Sequence, residues 1–449
     1  MFGLTLSGIS LLCNGKLINC EKPETEPCRN VIDSRDVKNG DIFAALEGDR
    51  VDGHDYISAA ANSGACCSLA ERIPDNFEGC LILVDSVEKA IADISENFRK
   101  TLAIPVVGIT GSNGKTTAKE IISCVLSERF NTLKTEKNFN NQLGVPMTVS
   151  SIFQNHEAAV IEMGVSKKHD MELLGRIVRP DIMVFTNIGH AHLEFLDNLE
   201  GVLYEKAKVL NYLDSDAVII INGDDPYLRK IECPQRIISY GTDNFSDIWA
   251  DNIEYSVSEN ETCMDIHLDG NILKVSVPSY GRHMVYAVLE AVAAGTAIGL
   301  TNEEIFSGIK KYRPVGRRSL LCRTQSFILV DDCYNSNPDS LKNSMESMMA
   351  ISGRHVCILG DMLELGENSA ALHYDTGEYA RKTGIDLVIS VGSLAKYISD
   401  GAGDIGIHFS DMNELFEALP GILKKDDVIL VKASRGMHFE NISEYIKTL

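Results

Sequence analysis

The stretch best equipped for chemistry is Thr110-Gly111-Ser112-Asn113-Gly114-Lys115-Thr116-Thr117. The amides of a glycine-bearing turn can wrap phosphate oxygens, Lys115 can reach β- and γ-phosphates, and the Thr116 hydroxyl can ligate Mg²⁺. The run from Pro105 to Thr110 reads as a buried strand. The residues after the turn read as an amphipathic helix whose positive end faces the same anion. The strict pattern G-x-x-x-x-G-K-[ST] needs glycine at 109, where this chain has Ile109, and Gly108 is one residue early. Strand, loop and helix together outweigh that departure: the loop binds a nucleotide.

Other candidates stand at the ends of apolar runs. Glu162 closes AAVIEMG and His192 follows DIMVFTNIGHAH. Mg²⁺ on a nucleotide takes one or two protein ligands and keeps its waters, so a lone carboxylate suffices. On residue type alone Glu162 reads equally as a solvated strand-end acid, His190 competes with His192, and Lys206 in LYEKAKVL reads as an exposed helix lysine. Asp331 and Asp332 lead into Cys-Tyr-Asn335-Ser-Asn337-Pro338, which could hold a ribose or adenine edge or merely cap the next helix. Asp361 and Glu364 in GDMLELG, with Lys432, Ser434 and Arg435 in KASR, supply opposite charges suited to a zwitterion, or are simply solvated.

Those residues need a scaffold. At roughly 150 residues per domain, 449 residues predict about three domains. Strand-like runs alternate with helical ones, giving an α/β protein with mostly parallel sheets. Pattern changes divide it at 1–100, 101–313 and 314–449. The 64 acidic against 42 basic residues leave a net charge of −22, which excludes a nucleic-acid partner. No run is long and apolar enough for membrane insertion, and the N-terminus lacks a basic signal region. Twelve scattered cysteines without C-x-x-C suit reduced thiols. The expectation is a cytoplasmic monomer.

Taken in order, DSRDVKNGDIFAALEGDRVDGHDY, TGSNGKTT, NFNNQLGVP, IEMG, TNIGHAHLE, EKAKVL, PVGR, DDCYNSNP, LGDMLELG and VKASRGM resemble the Mur ligases of peptidoglycan synthesis over nearly the whole chain. TGSNGKTT alone is similar to the wider group of ATP-dependent amide ligases, including folylpolyglutamate synthases, which add a single amino acid; that is the alternative reading. DDCYNSNP, LGDMLELG and DGHDY resemble the member that adds D-alanyl-D-alanine to UDP-N-acetylmuramoyl-tripeptide. The resemblance implies an N-terminal UDP-binding domain, a central P-loop ATPase domain and a C-terminal Rossmann-like domain. It also implies a reaction in which ATP, with Mg²⁺, converts the peptide carboxylate to an acyl phosphate that the dipeptide amine attacks.

The resemblance further implies roles. Lys115, Glu162, His192, Lys206 and Arg317 would be catalytic, with Mg²⁺ at Thr116, Glu162, His192 and a carbamylated Lys206. Residues Thr110 to Thr117, His283, Asp331 and Asn335 would hold the nucleotide. Ser34, Arg35, Asp52, Gly53 and His54 would take UDP, and Asn140 and Asn141 the muramoyl peptide. Asp361, Glu364, Lys432, Ser434 and Arg435 would lie toward the dipeptide. The chain departs from the pattern at Met284 and Ala287, where the family has asparagines, and at Gln142, Lys208 and Ala433. The first two bear on adenine recognition, and none removes a phosphate or metal group.

Overall fold

A computed structural model of the protein describes residues 1–48, 50–75 and 77–449 and arranges them around three β-sheets. The first is five-stranded, in the order Lys16–Ile18, Leu81–Leu83, Cys67–Ala70, Ile42–Ala44, Asn30–Val31. Only Lys16–Ile18 pairs antiparallel. The helix Val87–Thr101 begins where Ser86 accepts from the Lys89 N–H. It carries Glu88 in its first turn and Arg99 and Lys100 in its last, as the helix dipole favours. Val87, Ile91, Ile94 and Phe98 are buried. Arg99 then fastens this unit to the central one, donating to Val178 O at 2.8 Å and to the Asp181 carboxylate at 2.9 Å.

The central sheet has nine strands, and its parallel part runs Arg236–Gly241, Val218–Asn222, Ile182–Phe185, Val106–Thr110, Ala158–Glu162, Thr132–Lys134. Val106–Thr110 lies between two strands that both follow it in sequence, the kind of crossover where open α/β sheets bind ligands beyond the strand ends. Ile109 is fully buried in the core, so the position that the strict phosphate-loop pattern gives to glycine does packing work here. Ile248–Ser256, joined parallel to Arg236–Gly241, then pairs antiparallel with Glu261–Leu268, and that strand with Asn271–Val277, completing the sheet with an antiparallel extension. Its alternating burial is a period-two pattern that the expectation of a mostly parallel sheet did not single out.

The third sheet runs Leu320–Arg323, Ile328–Asp331, Val428–Lys432, His355–Gly360, Leu387–Val391, Gly406–Phe409, parallel except for its first strand. The carboxyl ends of three adjacent strands therefore bring Asp331-Asp332, Lys432 and Gly360-Asp361 to one edge. All twelve cysteines are free thiols. Among the described residues no helix is long and apolar enough to cross a membrane.

One buried pair in the central core makes a testable statement. Glu290 accepts from the Tyr240 hydroxyl at 2.6 Å, and burial pushes its carboxyl up to about 8. A carboxyl whose folded pKa is raised binds its proton more tightly in the native state, so stability falls as pH rises from about 4.5 through 8. Glu290→Gln is expected to flatten that fall, raising Tm more at pH 8 than at pH 5. Thermal melts showing equal shifts at both pH values would contradict it.

Candidate functional site

The central strand ends in a loop that its glycines make possible. Gly111 has φ +152°, and a Cβ there would lie 1.9 Å from Thr186 Oγ1; Gly114 has φ +83° and opens the helix Lys115–Leu126. The loop is held from one side: Ser112 N–H donates to Asn187 O (2.9 Å), Asn113 N–H to Asn187 Oδ1 (2.9 Å), and the Thr186 hydroxyl to Asn113 O (2.5 Å). Lys115 folds over its own loop, donating to Gly111 O at 2.7 Å and Ser112 O at 3.3 Å. Burial lowers its ammonium pKa, with Glu162 opposing.

Beside the loop, the Thr116 hydroxyl donates to Glu162 Oε2 at 3.0 Å and Asn140 Nδ2 to Glu162 Oε1 at 2.7 Å. Thr135 Oγ1 accepts the Glu162 N–H, and Lys119 Nζ stands 4.0 Å from the carboxylate while donating to Thr135 O. Thr135 and Lys119 were missed in the sequence because each acts through Glu162 and belongs to none of the motifs. The hydroxyl–carboxylate pair, with room for water around it, fits Mg²⁺, which needs few protein ligands. Among the described residues no cluster of three or more His, Cys, Asp or Glu has metal-binding geometry.

The third sheet supplies the opposite wall of a cleft of about 420 Å³, lined among others by Ser112 to Thr117, Asn140, Asn141, Glu162, His192, His283, Asn335, Glu364, Lys432, Ser434 and Arg435. Lys432 Nζ donates to Asp332 Oδ2 at 2.6 Å and Asn335 O at 3.0 Å. Burial pushes the Asp332 carboxyl up, but Lys432 outweighs it and holds the acid ionised. Ser434 accepts the Leu363 N–H at 2.9 Å, while Arg318 and Arg435 lie over the Tyr334 ring. His192 pairs through Nδ1 with Glu364, which holds that carboxyl below its usual range.

Several expected residues are not brought to the cleft. Thr110 is fully buried, its hydroxyl donating to Met163 O. Arg317 is held by Asp331 (2.7 Å) and Glu444 (2.6 Å), and the arginine on the cleft wall is Arg318. Asp331 faces away with Arg317 and the Cys333 thiol, leaving Asp332 inside. Asp361 is buried and accepts from the Leu394 and Ala395 N–H groups. Lys206 is not an exposed helix lysine: it is 1% exposed and makes no hydrogen bond or ion pair among the described residues. Burial carries its amine well below the ordinary lysine range, with Lys115 nearby adding to the effect.

Ser34, Arg35, Asp52, Gly53 and His54 all lie in the N-terminal unit, off the cleft. Arg35 chelates Asp33, which holds that carboxylate at about 2. His54 is buried, with Nδ1 2.7 Å from Asp52 Oδ1 and Nε2 accepting the Glu71 N–H, while Gly53 would clash with Leu46 O if it bore a Cβ. Of the departures, Met284, Ala287 and Ala433 are core residues. Gln142 donates to Asp170, and Lys208 pairs with Glu172 and Glu205.

This arrangement has relatives. Residues 31–100 match the Mur ligase family catalytic domain, 109–295 the Mur ligase middle domain, and 316–435 the Mur ligase glutamate ligase domain. The UDP-N-acetylmuramoyl-tripeptide–D-alanyl-D-alanine ligase of Bacillus subtilis (strain 168) is 33% identical over 98% of both chains. The crystal structure of MurF from Acinetobacter baumannii superposes with a TM-score of 0.92 at 27% identity, covering 99% of both chains. That of MurF ligase from Thermotoga maritima in complex with ADP gives 0.84 at 29% identity, covering 94% of this chain and 97% of that one. The chain belongs to the Mur ligase family.

Proposed function

We propose that this protein is an ATP-dependent peptide ligase that joins D-alanyl-D-alanine to UDP-N-acetylmuramoyl-tripeptide in peptidoglycan precursor synthesis, acting as a cytoplasmic monomer. The observation that carries the reading is one cleft in which the loop 111–117, the Thr116–Glu162 pair and the Lys432–Asp332 wall face each other. Residues 1–100 would bind the UDP-muramoyl substrate, 101–313 the nucleotide, and 314–449 the dipeptide and part of the nucleotide.

A carboxylate approaching a γ-phosphate meets charge repulsion, so the chain must place cations and amide donors where negative charge builds. Lys115 would exchange its carbonyl partners for phosphate oxygens, and the helix behind it adds its positive end. Thr116 and Glu162 would hold Mg²⁺, with His192 on the same cleft as a further ligand once freed from Glu364. The bound ion would neutralise phosphate oxygens during transfer. Lys206, whose burial favours the uncharged amine over the ammonium, would be the lysine that adds CO₂ as a carbamate. Arg318 takes the place proposed for Arg317. Asp332, Asn335 and His283 would face the nucleotide, with Glu364, Ser434 and Arg435 facing the incoming dipeptide. Asn140 and Asn141 line the groove for the peptide acid, and the wall on both sides keeps water from the acyl phosphate.

With buried Met284 and Ala287 where the family has asparagines, adenine contacts would fall to His283 at the start of the helix and to the third sheet. Phosphate release is expected only when ATP, UDP-muramoyl tripeptide and D-alanyl-D-alanine are all present. Equal release with a single amino acid would instead support the single-residue ligase alternative.

A further inference from the structure

The loop 111–117 and the third sheet belong to different units, and something must set the distance between them. The helix Pro338–Met349 begins at that junction, with Asn337 capping it through Ser340 N–H. Its first turn makes two contacts with the central unit. Asn337 Nδ2 donates to Asn113 Oδ1 at 2.8 Å, on the phosphate loop itself. Asp339 turns out of the helix to the segment after Phe185: His190 N–H donates to its Oδ2 at 2.6 Å, and His190 Nδ1 lies 3.0 Å from the same oxygen. The residue just before His190 grips the loop, since the Gly189 N–H donates to Ser112 Oγ at 2.9 Å and the Ser112 hydroxyl donates to Gly189 O at 3.1 Å. Asp339 approaches so closely that a Cβ on Gly189 would lie 2.5 Å from its Oδ2. Gly189 does not have a positive φ, so the glycine is needed for the approach and not for the backbone. Asp339 lines no part of the cleft.

We propose that Asp339 is a positioning residue: its paired hydrogen bonds to His190, across the gap left by Gly189, seat the third sheet against the nucleotide loop in the arrangement that closes the cleft. This rests on the ligase reading above. Because the contact is made within the protein and not to any substrate, its loss should lower the fraction of bound enzyme that reaches the reactive arrangement, and so act on kcat more than on KM.

The test uses the full chain and four variants. Asp339→Ala is expected to lower kcat by about 10- to 100-fold, as loss of charge-assisted hydrogen bonds would, with little change in KM for ATP. Asp339→Asn, which keeps an acceptor for the His190 N–H, should recover most of that loss. Gly189→Ala, which adds only a methyl group, should reproduce it. In the double variant Gly189→Ala/Asp339→Ala the methyl has room, so it should add nothing to the loss from Asp339→Ala. Small-angle scattering with the ATP analogue AMPPCP should show the wild type more compact than Asp339→Ala and Gly189→Ala.

Losses from Gly189→Ala and Asp339→Ala that multiply, or unchanged kcat in both, would overturn the proposal. So would a rise in KM at constant kcat. Should Asp339→Ala not fold, as circular dichroism would show, Gly189→Ala and Asp339→Asn decide alone. A wild type inactive on these substrates whose variants still differ in compaction would defeat the ligase reading and support the latch.

Discussion

Lys115→Ala should cut turnover by about 10²–10³-fold, the range for removing one preorganised donor from a developing charge. The ammonium is half-buried and already within hydrogen-bond reach of two loop carbonyls, so its position is set before any ligand arrives. Its removal leaves Gly111 and Gly114 in place, and the fold should survive. The loss should fall on kcat as well as on ATP binding, because the negative charge shifting toward the leaving β-phosphate develops only in the transition state. Lys115→Arg should not restore it, since a planar guanidinium does not supply the compact point charge that the Gly111 and Ser112 carbonyls now hold. Steady-state phosphate release measures this directly, and a turnover within a few fold of wild type would remove the loop from the reaction.

Lys206 should show the opposite split between stability and activity. Burial lowers the amine's folded pKa, so the unfolded chain binds more protons between that value and 10.5. Stability therefore rises with pH across this window and is lost below it. Lys206→Met removes the burden of a buried amine and should raise Tm at pH 7, by more than it does above pH 10. The same change should lower activity by about 100-fold, as loss of a metal-positioning group does. Lys206→Arg should be equally inactive, because a guanidinium cannot take up CO₂. Depleting CO₂ should slow the wild type and leave both variants unchanged. A Lys206→Met enzyme that is both more stable and fully active would leave the lysine without a chemical role.

Much of this site was legible in the sequence, and the failures lie where orientation and tertiary contact decide. Strand-end loops announce themselves through glycine and a following lysine, so Gly111 to Thr117 could be placed before the fold was known. Neighbouring residues on a strand point to opposite faces, so a pair such as Asp331-Asp332 cannot be resolved from type alone. The structure turns Asp331 toward Arg317 and Asp332 toward Lys432, and the adjacent arginines divide likewise, with Arg318 on the cleft. Lys206 has the type and setting of a solvated helix lysine, and only tertiary packing buries it. Contacts between residues more than a hundred positions apart, such as His192–Glu364 and Asn113–Asn337, have no local signature. The alternation of strands and helices revealed the parallel sheets. The antiparallel extension at 248–277 was hidden because its period-two pattern is half-polar and lies beyond the last motif strand.

In the proposed reaction a peptide carboxyl attacks the phosphoryl group held over Lys115. UDP-muramoyl tripeptide labelled with ¹⁸O in its terminal carboxylate tests it, with the released phosphate analysed by mass spectrometry after reaction with ATP and D-alanyl-D-alanine. One ¹⁸O atom per phosphate is the predicted result, because the acyl phosphate's bridging oxygen leaves with phosphorus. Phosphate without label, with coupled product formed, would contradict it.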